Sequence, residues 1–82
     1  MRIFVAKSAV KEARKVPTVD LLGIAEKLGR YAENREAAVD VVALKGEPGA
    51  FRLRHGDYRA LFRVEGDAMT VLAIRHRKDA YE

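Results

Sequence analysis

The sequence predicts an α+β fold in which a strand and two helices precede three antiparallel strands, with the helices packed on one face of a small sheet. Three observations carry this reading. Residues 51–64 (FRLRHGDYRALFRV) alternate apolar and basic side chains on both sides of a Gly-Asp pair. Residues 9–15 and 18–33 instead space their apolar residues at helical intervals. A second Gly-Asp pair then leads into MTVLAIR, another β-rich run.

In chain order, residues 1–6 (MRIFVA) are rich in β-formers and read as the first strand. Ser8 is placed as the N-cap of a short helix with Val10, Ala13 and Val16 facing inward. Pro17 ends that helix, because proline supplies no amide donor and blocks the preceding turn. Thr18 is placed as the next cap, and Asp20 suits the positive end of the helix dipole. Leu21, Ile24, Ala25, Leu28 and Ala32 form the inward stripe, with the end near Asn34-Arg35. Gly23 and Gly29 each weaken this helix by roughly 1 kcal/mol relative to alanine. Residues 36–48 read as helix extension, short strand or loop up to the KGEPG break.

Side chains on a strand point alternately to opposite faces. A glycine-first turn at Gly56-Asp57 suits a type II′ hairpin, pairing His55 with Tyr58, Arg54 with Arg59 and Leu53 with Ala60. One face then carries Phe51, Leu53, Tyr58, Ala60, Phe62 and Val64, which is a core for the helices to cover. The other carries Arg52, Arg54, Arg59 and Arg63 around Leu61, with Leu72 and Ile74 expected beside them from the third strand.

The chain of 82 residues forms one domain over 1–82, without repeats, low-complexity tracts or linkers. It has no cysteine, which excludes a disulfide framework and a thiolate metal site. No run approaches the ~20 apolar residues of a membrane span, and a cytoplasmic location is expected. The net charge is +4, from sixteen Lys plus Arg against twelve Asp plus Glu. The excess is local: residues 51–64 hold four arginines and one acid, and residues 75–78 (RHRK) hold no acid.

Facing arginines repel across a strand pair, though the term is only about 1 kcal/mol at 4 Å in water. A solvated face that discourages aggregation is one reading. Two features favour anion binding. All four residues are arginine, whose planar fork fits phosphate oxygens, and they surround an apolar patch suited to bases. Other chemistries are poorly supplied. His55 and His76 lack carboxylates at metal-ligand spacing, Ser8 reads as a cap, and the glycines form no phosphate-cradling motif.

The stretches LKGEPGAFRLRHGDYRALFRV and VLAIRHRKDAY closely resemble the RelE/ParE superfamily of type II toxins. The resemblance rests on Leu-Lys-Gly at 44–46, aromatic-Arg-x-Arg at 51–54, Gly-Asp-Tyr-Arg at 56–59 and His-Arg-x-x-x-Tyr at 76–81, and it extends over essentially the whole chain. It implies a toxin neutralised by a cognate antitoxin encoded alongside. RelE-like members cleave messenger RNA on the ribosome with the RNA's own 2′-hydroxyl and no cofactor or metal. ParE-like members share the fold but poison DNA gyrase, and a degenerate non-toxic member is a third possibility. By position, the resemblance makes Arg52, Arg54, Arg59 and Arg77 the phosphate-stabilising residues, His76 an acid/base group and Tyr81 a stacking group. Arg63, Arg75, Lys78 and Lys45 become RNA-binding candidates. The chain departs from the RelE archetype in carrying Arg-Arg for a lysine pair. Arginine keeps its proton, which leaves His76 or His55 as groups with an ordinary titration range near neutrality. The Arg77-to-Tyr81 spacing is also shorter than in that enzyme.

Overall fold

The computed structural model describes residues 1–79, so Tyr81 lies outside the described residues. The elements are β1 (Arg2–Val5), α1 (Lys7–Ala13), α2 (Thr18–Glu33), a single 3₁₀ turn (Arg35–Ala37), β2 (Val41–Ala43), β3 (Ala50–His55), β4 (Tyr58–Glu65) and β5 (Ala68–His76). They build a five-stranded sheet in the order β1-β5-β4-β3-β2. β1 runs parallel to β5, and the other neighbours are antiparallel. No described helix is long and apolar enough to cross a membrane.

The hairpin has the expected register, with His55 opposite Tyr58, Arg54 opposite Arg59 and Leu53 opposite Ala60. Gly56 has φ 55° and Asp57 does not share the positive φ, as a II′ turn requires. The helices cover one face. Leu53, Ala60, Phe62 and Met69 have no exposed surface and join Ala9, Val16, Ile24, Leu28 and Tyr31 in the core. Phe62 lies against Tyr31 at 5.1 Å edge-on and against Phe51 at 5.5 Å stacked. Each such ring pair adds about 0.5–1.5 kcal/mol beyond area burial.

Several helical expectations need correction. Ala6 is the N-cap of α1 and makes no side-chain cap bond. Ser8 lies inside the helix, and its hydroxyl donates to the Leu72 carbonyl at 2.9 Å. Val10 is exposed while Ala9 is buried, because anchoring by Ser8 and Glu12 turns the adjacent stripe toward the sheet. Thr18 is already helical, with Pro17 as the cap. On α2 the stripe runs through Ile24, Leu28 and Tyr31, leaving Ala25 exposed. The uncertain stretch contributes the edge strand β2.

The largest departure is a bulge in β5. Arg63 pairs with Thr70 as expected, but the register shifts between Leu61 and Phe62. Beyond it, Ala73 faces Leu61, Ile74 faces Ala60 and Arg75 faces Arg59. An extra residue in one strand reverses which face each following side chain takes. Ile74 is therefore buried in the core, and the apolar patch of Leu61, Leu72 and Ile74 does not form. α1 secures the bulged segment. β1 pairs with β5 only as far as Val71. Past that point Ser8 binds the Leu72 carbonyl, and Glu12 Oε1 accepts from the Ile74 amide at 3.1 Å. Side chains thus satisfy strand-edge groups that would otherwise need water or another strand.

The two helical glycines differ. A Cβ on Gly23 would lie 2.2 Å from His55 Cε1, whereas one on Gly29 meets nothing within 4 Å. Gly29→Ala should stabilise the protein by roughly 0.5–1 kcal/mol through helix propensity. Gly23→Ala should forfeit that gain and be the less stable of the two by about 1–3 kcal/mol, from overpacking against the ring. Urea unfolding of both variants, and of Gly23→Ala combined with His55→Ala, measures this. The double variant should recover the propensity gain if His55 is the obstacle.

Candidate phosphate-binding face

The helix-free face is built by alternation along β3 and β4. Arg52 and Arg54 project from β3, and Arg59, Leu61 and Arg63 from β4. Val42 of β2 stands opposite Arg52 and widens the face at its edge. Arg52, Arg54 and Arg59 meet at a concavity of about 310 Å³, whose remaining wall is Asp40 and Val42. Three guanidiniums and one carboxylate around a hollow of this size can receive a phosphate, with net positive charge left over.

The arginines are held by different means. Arg59 is buried at 8% exposure, unusual for arginine. Its Nη1 donates to the carbonyls of Gly56 and Tyr58, both at 2.9 Å, clamping it over the hairpin turn. Arg54 is exposed, with Nη2 3.5 Å from Asp40 Oδ1. Arg63 donates to the Pro48 carbonyl at 3.2 Å and lies 3.9 Å from Glu47. These partners offset the repulsion that Arg54 facing Arg59 would otherwise produce.

The other candidates lie elsewhere. The bulge sets Arg75 opposite Arg59, but its Nε is drawn 3.2 Å from Glu12 Oε2 on α1. His76 pairs with Tyr58 and so shares the helix-side phase with His55, away from the arginine concavity. Its ring meets Tyr58 edge-on at 5.5 Å, and its Nδ1 accepts from the Lys78 amide at 3.2 Å. A separate hollow of about 450 Å³ lies there, lined by Glu12, Tyr58, Arg75, His76 and Asp79 among others. Arg77 and Lys78 are exposed after β5, with Arg77 Nε 3.6 Å from Asp57. Lys45 is exposed in the turn before β3. His55 packs on α2, its Nε2 3.6 Å from Asp20 and its buried Nδ1 without a hydrogen-bond partner. Among the described residues, no three His, Asp or Glu side chains are grouped to hold a metal ion.

Sequence reasoning missed Asp40, Lys27 and Glu12. Asp40 has φ 65°, a conformation that aspartate tolerates better than most side chains. That tolerance is a faint signal in AVDVV. Glu12 gave none, because its partners are distant in sequence.

A family profile described as the ParE toxin of the type II toxin–antitoxin system parDE matches residues 3–81. Toxin RelE3 of Methanocaldococcus jannaschii is 28% identical over 85 residues, spanning 100% of this chain and 97% of that protein. Two solved complexes are similar. The RelB–RelE antitoxin–toxin complex from Methanococcus jannaschii matches at 26% identity and a TM-score of 0.82, over 95% of this chain and 94% of the other. The archaeal RelE–RelB complex from Pyrococcus horikoshii OT3 matches at 27% identity and 0.71, over 96% and 97%.

The Asp40 carboxyl is held below its ordinary value, first by the Lys27 hydrogen bond, then by the Lys27 charge, with desolvation opposing and Arg54 adding a smaller lowering. A carboxyl depressed on folding stabilises the protein above its unfolded value of 3.8, and loses that contribution as pH falls through the folded value. In urea unfolding, wild type should exceed Asp40→Asn in stability at pH 7. The gap should narrow progressively as pH falls from about 5 through 3.8 and on past the lower folded value.

Proposed function

The chain belongs to the RelE/ParE superfamily and is a toxin of a type II toxin–antitoxin system, and we propose that it is a metal-independent, ribosome-dependent messenger-RNA endonuclease restrained by a cognate antitoxin. The observation that carries this reading is the convergence of Arg52, Arg54 and Arg59 on one concavity of the helix-free face. Similarity to RelE toxins solved with RelB supports the antitoxin partner.

In the proposed reaction the RNA's 2′-hydroxyl loses its proton to water as its oxygen attacks the adjacent phosphorus. The bond to the 5′-oxygen of the next nucleotide breaks, that oxygen taking a proton from water and leaving a 2′,3′-cyclic phosphate. Negative charge grows on the non-bridging oxygens as the new bond forms. Guanidiniums already aimed at those oxygens stabilise this charge without reorganising, and each well-placed donor contributes ~3 kcal/mol. Arg59, clamped by two carbonyls, provides a fixed donor, Arg52 lines the same concavity, and Arg54 lies on its open side. No described side chain that ordinarily titrates near neutrality lines this concavity. At this concavity the described residues contribute charge stabilisation and positioning, and His76, on the helix-side face, does not line it. Lys45, Arg63, Arg77 and Lys78 extend the positive field along the RNA backbone.

A second reading follows from the family profile, which is that of a ParE toxin: binding and inhibition of DNA gyrase without RNA cleavage. Either target places the protein in the cytoplasm. Cleavage of a message on programmed ribosomes, run beside a gyrase supercoiling assay, distinguishes the two. Wild type should cut the message and leave supercoiling unaffected. Arg52→Ala with Arg54→Ala should slow cleavage by about 100-fold or more. Intact messages with inhibited supercoiling would replace the nuclease reading with the gyrase one.

A further inference from the structure

The geometry points to Asp40 as a positioning residue that fixes the Arg54 guanidinium at the rim of the arginine concavity, through a relay reaching back to Lys27 on α2. The effect on cleavage rests on the nuclease reading above, whereas the order it imposes on Arg54 does not.

The relay is continuous. Lys27 Nζ lies 3.1 Å from Asp40 Oδ2 and also donates to the Arg54 carbonyl at 3.1 Å. The Arg54 amide donates to the Asp40 carbonyl at 2.8 Å, tying the residue before β2 to the end of β3. With Oδ2 engaged by the lysine, Oδ1 is the oxygen directed at Arg54 Nη2, at 3.5 Å. The backbone is bent to suit, since Asp40 takes φ 65°. Aspartate pays a cost there that glycine would not, so a side-chain role is the natural reason for this residue type.

Asp40 and Arg54 both line the hollow that Arg52 and Arg59 complete. The Asp40–Arg54 contact is long and Arg54 is 65% exposed, so the guanidinium is oriented without being withdrawn from solvent or from an incoming anion. A carboxylate in an anion site weakens ground-state attraction for RNA. Its benefit is to hold one donor where charge develops later in the reaction. The signature of such a role is a loss of rate without a loss of affinity.

Two variants test this. Asp40→Asn keeps the shape and removes the charge, and Asp40→Gly suits φ 65° and removes the side chain. The first readout is the NMR order of the Arg54 Nε–Hε group, referenced to the exposed Arg14 within the same spectrum. Arg54 should be more ordered than Arg14 in wild type and fall to its level in both variants, while backbone amide shifts away from residues 38–42 stay unchanged. Equal Arg54 order in wild type and variants overturns the inference. The second readout is single-turnover cleavage on programmed ribosomes. The rate should fall by about 10- to 100-fold, with half-saturating toxin concentration unchanged or lower. An unchanged rate with weakened affinity also overturns it. If wild type leaves messages intact, the nuclease reading fails and the Arg54 order alone decides the role of Asp40.

Discussion

The structure depends on the register of one hairpin. The Gly56-Asp57 turn fixes Leu53 against Ala60 and Arg54 against Arg59, and every other assignment of faces follows from that pairing. A slip of one residue would carry Arg52 and Arg54 beneath the helices and expose Leu53 and Phe51. Burying unpaired guanidiniums costs several kcal/mol each, a large fraction of the stability of so small a domain. With no cysteine to cross-link the chain, the cluster of Phe62, Phe51 and Tyr31 must hold the sheet to α2. Fold and candidate site are therefore two sides of the same alternation.

That alternation is interrupted once, and the interruption divides the polar residues of β5. Without the bulge, Ile74 would sit on the arginine face and Arg75 beneath the helices. With it, Ile74 fills the core, and Arg75 crosses to a position from which Glu12 can reach it. Glu12 thereby serves two purposes, accepting from the Ile74 amide and pairing with Arg75. Together with Ser8 it replaces the hydrogen bonds that β1 is too short to provide. α1 acts here as a lateral cap on the sheet as well as a cover for its face.

Local patterns in the sequence revealed the hairpin, its arginine face, both helices and the end of the second near Asn34, though not the caps that start them. These follow from side-chain period and turn chemistry within a few residues. What was illegible depends on contacts between distant segments. Nothing in MTVLAIR marks Leu72 as an extra residue, because the bulge is stabilised by Ser8 and Glu12 from the other end of the chain. Likewise Val10 rather than Ala9 is the better hydrophobe, yet Ala9 is the residue buried once α1 is anchored. β2 has too few residues to show a period. The site was legible in its arginines and not in Asp40, whose importance lies in a backbone conformation and two partners from other elements.

The arginines on this face are graded by how firmly they are held, which matters more than their number. Arg59 is fixed by two carbonyls at 2.9 Å within its own hairpin and has little freedom to lose on binding. Arg54 is oriented by Asp40 at 3.5 Å while staying in solvent, whereas Arg63 has an exposed acidic partner at 3.9 Å, a contact that solvent weakens and that a phosphate can displace. A uniform array of loose arginines would bind RNA backbone but would have to reorganise as charge developed. A uniform array of buried ones would be costly to fold and hard for a polymer to approach. Combining a rigid Arg59, an Arg54 that Asp40 orients while leaving it in solvent, and a looser Arg63 lets fixed charge stabilisation and access for a polymer be met together. On this scaffold access can vary without disturbing either fixed donor, since Arg63 is held by Pro48 and Glu47, apart from the turn that clamps Arg59 and the Asp40 contact that orients Arg54.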